Sequence, residues 1–370
     1  MKIKVAKEDL IKLIGRTQNI VEKRNTMPIL VNVLLEAKGN KLKVLATNLE
    51  VSLTDEIECE VLTPGKVAAN AKSFFEIIKE MPDGQIQLTK QDNNWLKVAQ
   101  GKSVFNIVGI SPEEYPVFPS YTTKDFMEIE AKTLADMIAK TIYSVSNDET
   151  RYHLNGVYFE KIAGRKDAYL MVATDGHRLS LVNRLGGDKL SPQTEGVIIP
   201  RKGLQEIYKL LENVEGSFKM AIEGSQLVVC YGNTVLMVRL IEGKYPNYRQ
   251  LIPQNLSEHI SVRRDELLSS LKRVSLLSNQ KSKGVTFNLS KGKLEITSNN
   301  PELGDAKEEI DVDYTGAGLK IGFNAKYIMD VLTSINDENI NIDLKDQLSP
   351  GVMRPTQDTD YTCVIMPMRI

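Results

Sequence analysis

Apolar positions along the chain follow one plan three times. Ile3 and Val5 alternate with charged residues and lead into Leu10, Leu13 and Ile14. Met127 and Ile129 lead into Leu134, Met137 and Ile138, and Ile260 and Val262 into Leu267 and Leu271. The second and third copies are offset by 124 and 257 residues, and Ser270 takes one apolar slot of the third. Alternation followed by an i, i+3, i+4 stripe predicts a short strand running into an amphipathic helix. A second strand-to-helix unit recurs over Val67–Met81, Val197–Leu211 and Lys320–Ile335, each with an early lysine: Lys72, Lys202 and Lys326. Asn70 and Asn324 suit an N-cap, and Pro200 suits the start of a first turn.

Strands fill the intervals. Val44–Asn48, Met171–Asp175 and Glu295–Asn299 predict one strand in three versions, each ending on a turn residue. Gln85–Thr89, Leu227–Tyr231 and Ile340–Leu344 predict further strands after each second helix. Tyr115-Pro-Val-Phe118 and Tyr245-Pro-Asn-Tyr248 are matching linkers, and the third copy ends instead in Cys363-Val-Ile-Met-Pro-Met-Arg-Ile370. The expected fold class is α+β: three topologically similar domains, 1–120, 125–250 and 255–370, each with two helices packed on antiparallel sheets. Such domains expose sheet edges. Joining edge to edge and closing into a ring, alone or as a symmetric dimer, removes them.

Charge sharpens this picture. The 370 residues hold 47 Lys and Arg against 48 Asp and Glu, a net charge of −1. That balance excludes a chain basic along its whole length, though not a basic face opposite an acidic one. Helical windows drawn over Lys7–Arg24, Ala71–Met81, Lys132–Val145, Arg201–Val214, Arg263–Ser278 and Ala325–Ile335 carry 17 basic and 11 acidic residues. The remainder carries 30 and 37. A positive helical surface fits a nucleic-acid backbone, and an acidic exterior repels it.

The longest apolar run, Ala168–Ala173, is far too short to span a membrane. The charged N-terminus lacks a signal-peptide core, and the three separated cysteines (Cys59, Cys230, Cys363) fit a reducing cytoplasm. An enzymatic reading centres on Asp175 and His177. With only three histidines and no metal-ligand spacing, nucleophile elbow or phosphate loop in the sequence, that Thr-Asp step reads as turn chemistry. Neither catalysis, a cofactor nor a metal is expected.

Several ordered stretches carry a family resemblance: Met27-Pro-Ile-Leu30, Arg151-Tyr-His-Leu-Asn-Gly156, Ala173-Thr-Asp-Gly-His-Arg-Leu179, Pro200-Arg-Lys-Gly203, Leu277-Ser-Asn279, Gly322-Phe-Asn324 and Met366-Pro-Met-Arg369. Over essentially its whole length the sequence resembles the bacterial sliding clamps, the β subunits of DNA polymerase III. The resemblance implies a head-to-tail homodimer, a six-domain ring around duplex DNA that tethers the replicative polymerase and is opened by an ATP-dependent clamp loader. It further implies loose, sequence-independent DNA contacts at Arg24, Tyr152, His153, Arg201 and Lys202. A groove for clamp-binding peptides of polymerase, loader and repair proteins would be formed by Leu154, Thr174, Gly176, His177, Arg178, Leu179, Pro246, Gln250 and Leu251 with the tail Val364, Ile365, Met366, Pro367, Met368 and Arg369. Lys102, Phe105 and Ile107 would meet Leu276, Leu277 and Glu308 at the dimer interface. The alternative is a monomeric peptide-binding scaffold that does not encircle DNA.

Overall fold

A computed structural model describes residues 1–21, 27–122, 126–162, 165, 168–186, 196–212 and 214–369. The chain forms two compact units, one built mainly on Met1–Lys132 and Lys202–Leu240, the other on Thr133–Gly186, Glu195–Arg201 and Ile241–Ile370.

Each repeat runs strand, helix, strands, helix, strands. The first comprises β1 (Lys2–Ala6), α1 (Lys7–Gly15), β2 (Asn32–Lys38), β3 (Lys41–Thr47), β4 (Val51–Glu58), β5 (Glu60–Thr63), β6 (Gly65–Asn70), α2 (Ala71–Glu80), β7 (Gln85–Lys90), β8 (Leu96–Gln100), β9 (Ser103–Ile107) and β10 (Gly109–Ile110). The second comprises β11 (Met127–Glu130), α3 (Ala131–Ala139), β12 (Gly156–Lys161), β13 (Ala168–Thr174), β14 (Arg178–Leu185), β15 (Val197–Pro200), α4 (Arg201–Leu211), β16 (Ser217–Glu223), β17 (Gln226–Tyr231) and β18 (Thr234–Arg239). The third comprises β19 (Glu258–Arg263), α5 (Arg264–Val274), β20 (Gly284–Ser290), β21 (Lys293–Asn300), β22 (Gly304–Asp311), β23 (Leu319–Asn324), α6 (Ala325–Ser334), β24 (Asn339–Leu344), β25 (Gly351–Pro355) and β26 (Tyr361–Ile365).

Local chemistry explains the starts of these elements. Ile3 and Val5, Met127 and Ile129, and Ile260 and Val262 are buried at alternate positions, and the following helices bury Leu10, Leu13 and Ile14, then Leu134, Met137 and Ile138, then Leu267, Ser270 and Leu271. Asn70 and Asn324 cap α2 and α6, accepting from Ser73 N and Lys326 N at 2.9 Å each. In the first unit α1 packs on α2, and in the second α5 packs on α6.

Strand order makes the repetition exact to the residue. One half-sheet runs β1-β7-β8-β9, β11-β16-β17-β18 and β19-β24-β25-β26; the other runs β6-β2-β3-β4, β15-β12-β13-β14 and β23-β20-β21-β22. Following cross-strand partners through these ladders equates Phe105 with Leu236 and Cys363. The same procedure equates Thr54 with Leu181 and Lys307.

The repeats join through backbone. In the first unit β4 pairs antiparallel with β18, Leu53 opposite Leu236, giving a nine-stranded sheet. In the second, β14 pairs with β26, Ser180 opposite Cys363, giving an eight-stranded sheet. Edge-to-edge joining is thus realised at two junctions. The counterparts left over, β9 and β22, stand at the ends of their sheets.

Two expectations are corrected. The helices are shorter than the charge windows, α1 ending at Gly15 rather than near Arg24, and the six carry 12 basic and 9 acidic residues. The surplus is smaller and part of it lies beyond the helix ends. The turn after β21 uses Asn300, not Asn299: its Oδ1 accepts from Glu302 N, as Asn48 Oδ1 accepts from Glu50 N and Asp175 Oδ1 from His177 N.

Ion pairs reinforce the second junction. Lys140 bridges Asp136 and Asp358 at 2.7 Å each, and Arg184 also bonds both carboxylates. Burial alone would raise the Asp358 carboxyl, but hydrogen bonds from Arg184 and Lys140 hold it below the ordinary carboxylate value. Its contribution to stability is therefore present above the unfolded value, about pH 4, and is lost as pH falls through the lowered folded value. Asp358→Asn leaves two part-buried cations short of a partner and is expected to cost about 2 kcal/mol in urea unfolding at pH 7. An unchanged midpoint would show that the cluster does not brace the junction.

Candidate functional site

The second junction carries a buried apolar cluster that crosses its seam, whereas the first repeat's counterpart, Leu34, Leu45, Ala68 and Tyr115, holds no residue of the seam strands β4 and β18. Leu170 and Val172 of β13, Leu179 and Leu181 of β14, Ile198 of β15, Val352 of β25 and Val364 of β26 form one buried cluster with Leu154, Tyr245 and Tyr248. Tyr158, Leu251 and Ile252 pack around it, half-buried. Register explains its location. The positions of Leu179 and Leu181 are held by Ser52 and Thr54 in the first repeat, and by Asp305 and Lys307 in the third. The same strand position is therefore apolar at the second junction, polar at the first and charged on the open β22 edge.

The turn from Thr174 to Arg178 builds one wall. Thr174 Oγ1 donates to Arg178 O at 2.6 Å and accepts from Gly176 N at 3.1 Å. Asp175 Oδ1 accepts from His177 N at 2.9 Å and Arg178 N at 3.0 Å. Gly176 sits at φ 89°, a left-handed conformation that favours glycine, while the Arg151 guanidinium, 2.8 Å from where a Cβ would lie, is a flexible end that could shift. Asp175 and His177 thus meet through the turn backbone, the carboxylate capping the amide of His177 while that residue stays exposed.

Arg178 faces inward. Its side chain is only 8% exposed, bonds Asp175 at 3.0 Å and Asp330 at 2.6 Å, donates to Tyr143 O, and lies 4.4 Å from the Tyr327 ring centroid. Through these partners it braces the wall. Ile365 also points away from the cluster, toward Phe287, Phe323 and Ile328.

The tail is held by backbone. Met366 N donates to His177 O at 2.9 Å and Met368 N to Gly322 O at 2.8 Å. The Gly322–Met368 bridge repeats the pairings of Ala68 with Ile110 and of Ile198 with Ile241, so this tail is the third copy of the segment that elsewhere enters a linker. Met366, Pro367 and Met368 are half-buried beside Val364, and Arg369 is exposed. Pro246 is half-buried and Gln250 exposed on the opposite rim. Tyr245 and Tyr248, legible in sequence only as linker aromatics, are part of the floor; Tyr245 stacks on Tyr158 with centroids 5.0 Å apart.

The remaining expected contact residues are not members of this cluster. Tyr152 is exposed and edge-on to His153, centroids 5.8 Å apart. Arg201 opens α4 and bonds Asn147, and Lys202 follows it half-buried. Arg24 lies outside the described residues. On β9 Phe105 is 43% exposed while Ile107 is buried, and Lys102 is exposed in the preceding turn. Leu276 is 71% exposed, Leu277 half-buried, and Glu308 is paired to Arg273. Hydrogen bonding to Arg273 holds the Glu308 carboxyl below its ordinary value. Among the described residues, no group of three His, Cys, Asp or Glu is placed to hold a metal, and no helix is long and apolar enough to cross a membrane.

Repeated two-helix domains sharing sheets across their edges, with one apolar seam beside the C-terminus, define a clamp-type protein. The N-terminal, central and C-terminal domains of the DNA polymerase III beta subunit match residues 1–119, 128–247 and 249–369. Beta sliding clamps of Caulobacter vibrioides and Escherichia coli K12 are 32% and 30% identical, each over 100% of both chains. A Bartonella birtlesii sliding clamp solved bound to griselimycin superposes with a TM-score of 0.96 at 30% identity over 100% of both chains. A Bacillus subtilis sliding clamp does so with 0.95 at 28%, covering 100% of this chain and 99% of that one. The chain belongs to the DNA polymerase III beta subunit family, the beta sliding clamps. Its function is that of a DNA sliding clamp in replication.

Arg178→Met would strand the Asp175 and Asp330 carboxylates without their shared cation. We expect a loss of about 3 kcal/mol in urea unfolding; a loss below about 0.5 kcal/mol would contradict the bracing role.

Proposed function

We propose that two copies of this chain close head to tail into a ring around duplex DNA, with clamp domains 1–120, 125–250 and 255–370 in each. The ring tethers the replicative polymerase, the ATP-dependent clamp loader and repair proteins through the apolar seam of the second junction. It works in the cytoplasm and has no catalysis of its own. The observation that carries this reading is the pair of open edges, β9 and β22.

The two junctions already made supply a register for them by analogy. Leu53 faces Leu236, and Ser180 faces Cys363; the equivalent pair is Ala306 with the partner's Phe105. Arg239 N donates to Glu50 O at 2.8 Å and Met366 N to His177 O at 2.9 Å. The equivalent bond runs from the partner's Val108 N to Leu303 O. Val108 and Leu303 are 62% and 51% exposed, so the same register covers both side chains. A seam of this kind, between two different surfaces, closes only when rotation brings the last edge back to the first.

Sliding demands weak binding. Arg24, Tyr152, His153, Arg201 and Lys202 supply contacts, and the small positive surplus of the helices supplies sequence-independent attraction without a tight brake. The groove reading is supported by the half-buried rim around Leu251 and the adaptable thioethers of Met366 and Met368. The same rim would accept short apolar anchors from several partners.

Val104→Cys with Lys307→Cys places thiols at one level of the proposed seam, and oxidation should yield a covalent dimer. Val104→Cys with Leu303→Cys, about 13 Å out of register, should not. Equal cross-linking of both would overturn the register, and none in either would overturn the dimer. Leu251→Ala should weaken binding of a clamp-binding peptide from the polymerase about tenfold, with dimerisation unchanged. Unaltered affinity would remove the groove.

A further inference from the structure

The first junction holds a cavity where the second holds a tyrosine. Just past α1 and α3 the two repeats match bond for bond: Thr17 Oγ1 donates to Ile14 O as Thr141 Oγ1 does to Ile138 O, and Ile20 N donates to Thr17 O as Ser144 N does to Thr141 O. Asn19 therefore stands where the second repeat has Tyr143. The Tyr143 hydroxyl reaches the seam, accepting from Ser180 Oγ at 2.6 Å and lying 3.3 Å from Cys363 Sγ. The ladders equate Ser180 with Leu53 and Cys363 with Leu236. Asn19 is too short to follow. With Leu53 and Leu236 it lines a cavity of about 380 Å³ within the first unit.

Ile11 of α1, Ile20, Phe75 of α2 and Leu210 of α4 complete the apolar lining, and α4 also contributes Glu206 and Lys209. Glu206 is a buried carboxylate, only 7% exposed. Among the described residues its cation is Lys209, from its own helix, at 2.8 Å and largely in solvent. The counterpart on α6, Asp330, instead takes the buried guanidinium of Arg178 at 2.6 Å, and Val51 stands at the place of Arg178 in the first repeat. An ionised carboxylate has about four acceptor positions, so Glu206 keeps room for a further donor. Lys12, Arg16 and Lys209 stand against Glu206 and Glu212 on the walls, a near balance that suits a neutral ligand better than an ion.

We infer that this cavity binds a small neutral arene carrying one hydrogen-bond donor, a phenol or an indole. Its ring takes the place that Tyr143 holds at the second junction, against Leu53 and Leu236, and its O–H or N–H donates to Glu206. Size and lining agree with such a ligand: apolar walls bury the ring, and a few polar groups orient it. A ring seated there touches α1, α4 and both strands of the β4–β18 seam at once. The ligand thus braces the first junction as Tyr143 braces the second, and binding to the folded chain alone stabilises it.

p-Cresol, the tyrosine side chain ending in a methyl group, is the probe. Titrated into the full-length chain with labelled Ile and Leu methyls, it should shift the resonances of Ile20, Leu53 and Leu236 saturably, with a dissociation constant of about 1–5 mM. Toluene, which lacks the donor, should bind about fivefold more weakly, and Glu206→Leu should remove that difference. Asn19→Tyr, which restores the tyrosine of the second junction, should abolish the shifts. Leu210→Trp, which narrows the cavity from α4, should do the same, with melting curves confirming that each variant is folded. No saturable shift, or shifts confined to the Leu179–Val364 cluster, would overturn the site. Equal binding of toluene and p-cresol would overturn the role of Glu206. Unchanged p-cresol binding in the folded Asn19→Tyr or Leu210→Trp chain would overturn the placement of the ring.

Discussion

An unpaired strand edge is the constraint on which this molecule depends. Each edge presents backbone N–H and C=O groups that bond another strand as readily as water. Within the chain β4 meets β18 and β14 meets β26, so each of these junctions satisfies the edge of one repeat with that of the next. Three repeats joined at two seams leave two such edges, and here they are β9 and β22. The demand for pairing, repeated at equal positions, turns a tandem array into a structure that calls for a second copy. In the ring proposed above, function would follow from closure, which holds DNA without gripping it.

A constant backbone seam lets side chains specialise each junction. Leu179 and Leu181 make the second seam apolar, whereas Ser52 and Thr54 leave the first polar and Asp305 and Lys307 leave the open β22 edge charged. The second seam is also braced from behind, by Arg178 through Asp175 and Asp330 and by Lys140 through Asp136 and Asp358. An apolar rim is thereby held rigid on strands and a hydrogen-bonded turn, the arrangement a recognition groove needs. The chain's end lies beside it because the tail copies a linker segment that has no further repeat to reach.

Much of this is legible in the amino-acid order alone. Offsets of 124 and 257 residues locate the strand-helix starts, and the buried faces follow them residue by residue. Long-range registers are what a sequence does not display. Asn299 looks like the turn residue because it matches Asp175 in local pattern, yet the cross-strand ladder assigns the turn to Asn300. The helical charge surplus shrinks because α1 ends at Gly15, leaving Arg16 to pair with Asp55. Arg178 enters the sequence only as an expected groove residue; its ion pair with Asp330, 152 positions away, is not visible there. Tyr245 and Tyr248 announce a linker, and only folding shows that their rings form a floor.

The central claim is topological, so the most direct measurement compares two forms of one DNA. Clamp loaded onto nicked circular duplex, freed of loader and followed by gel filtration, should remain with the DNA for many minutes. Linearising that DNA at a single site should release it promptly, because sliding then leads to an open end. Release at the same rate from circular and linear DNA would contradict encirclement.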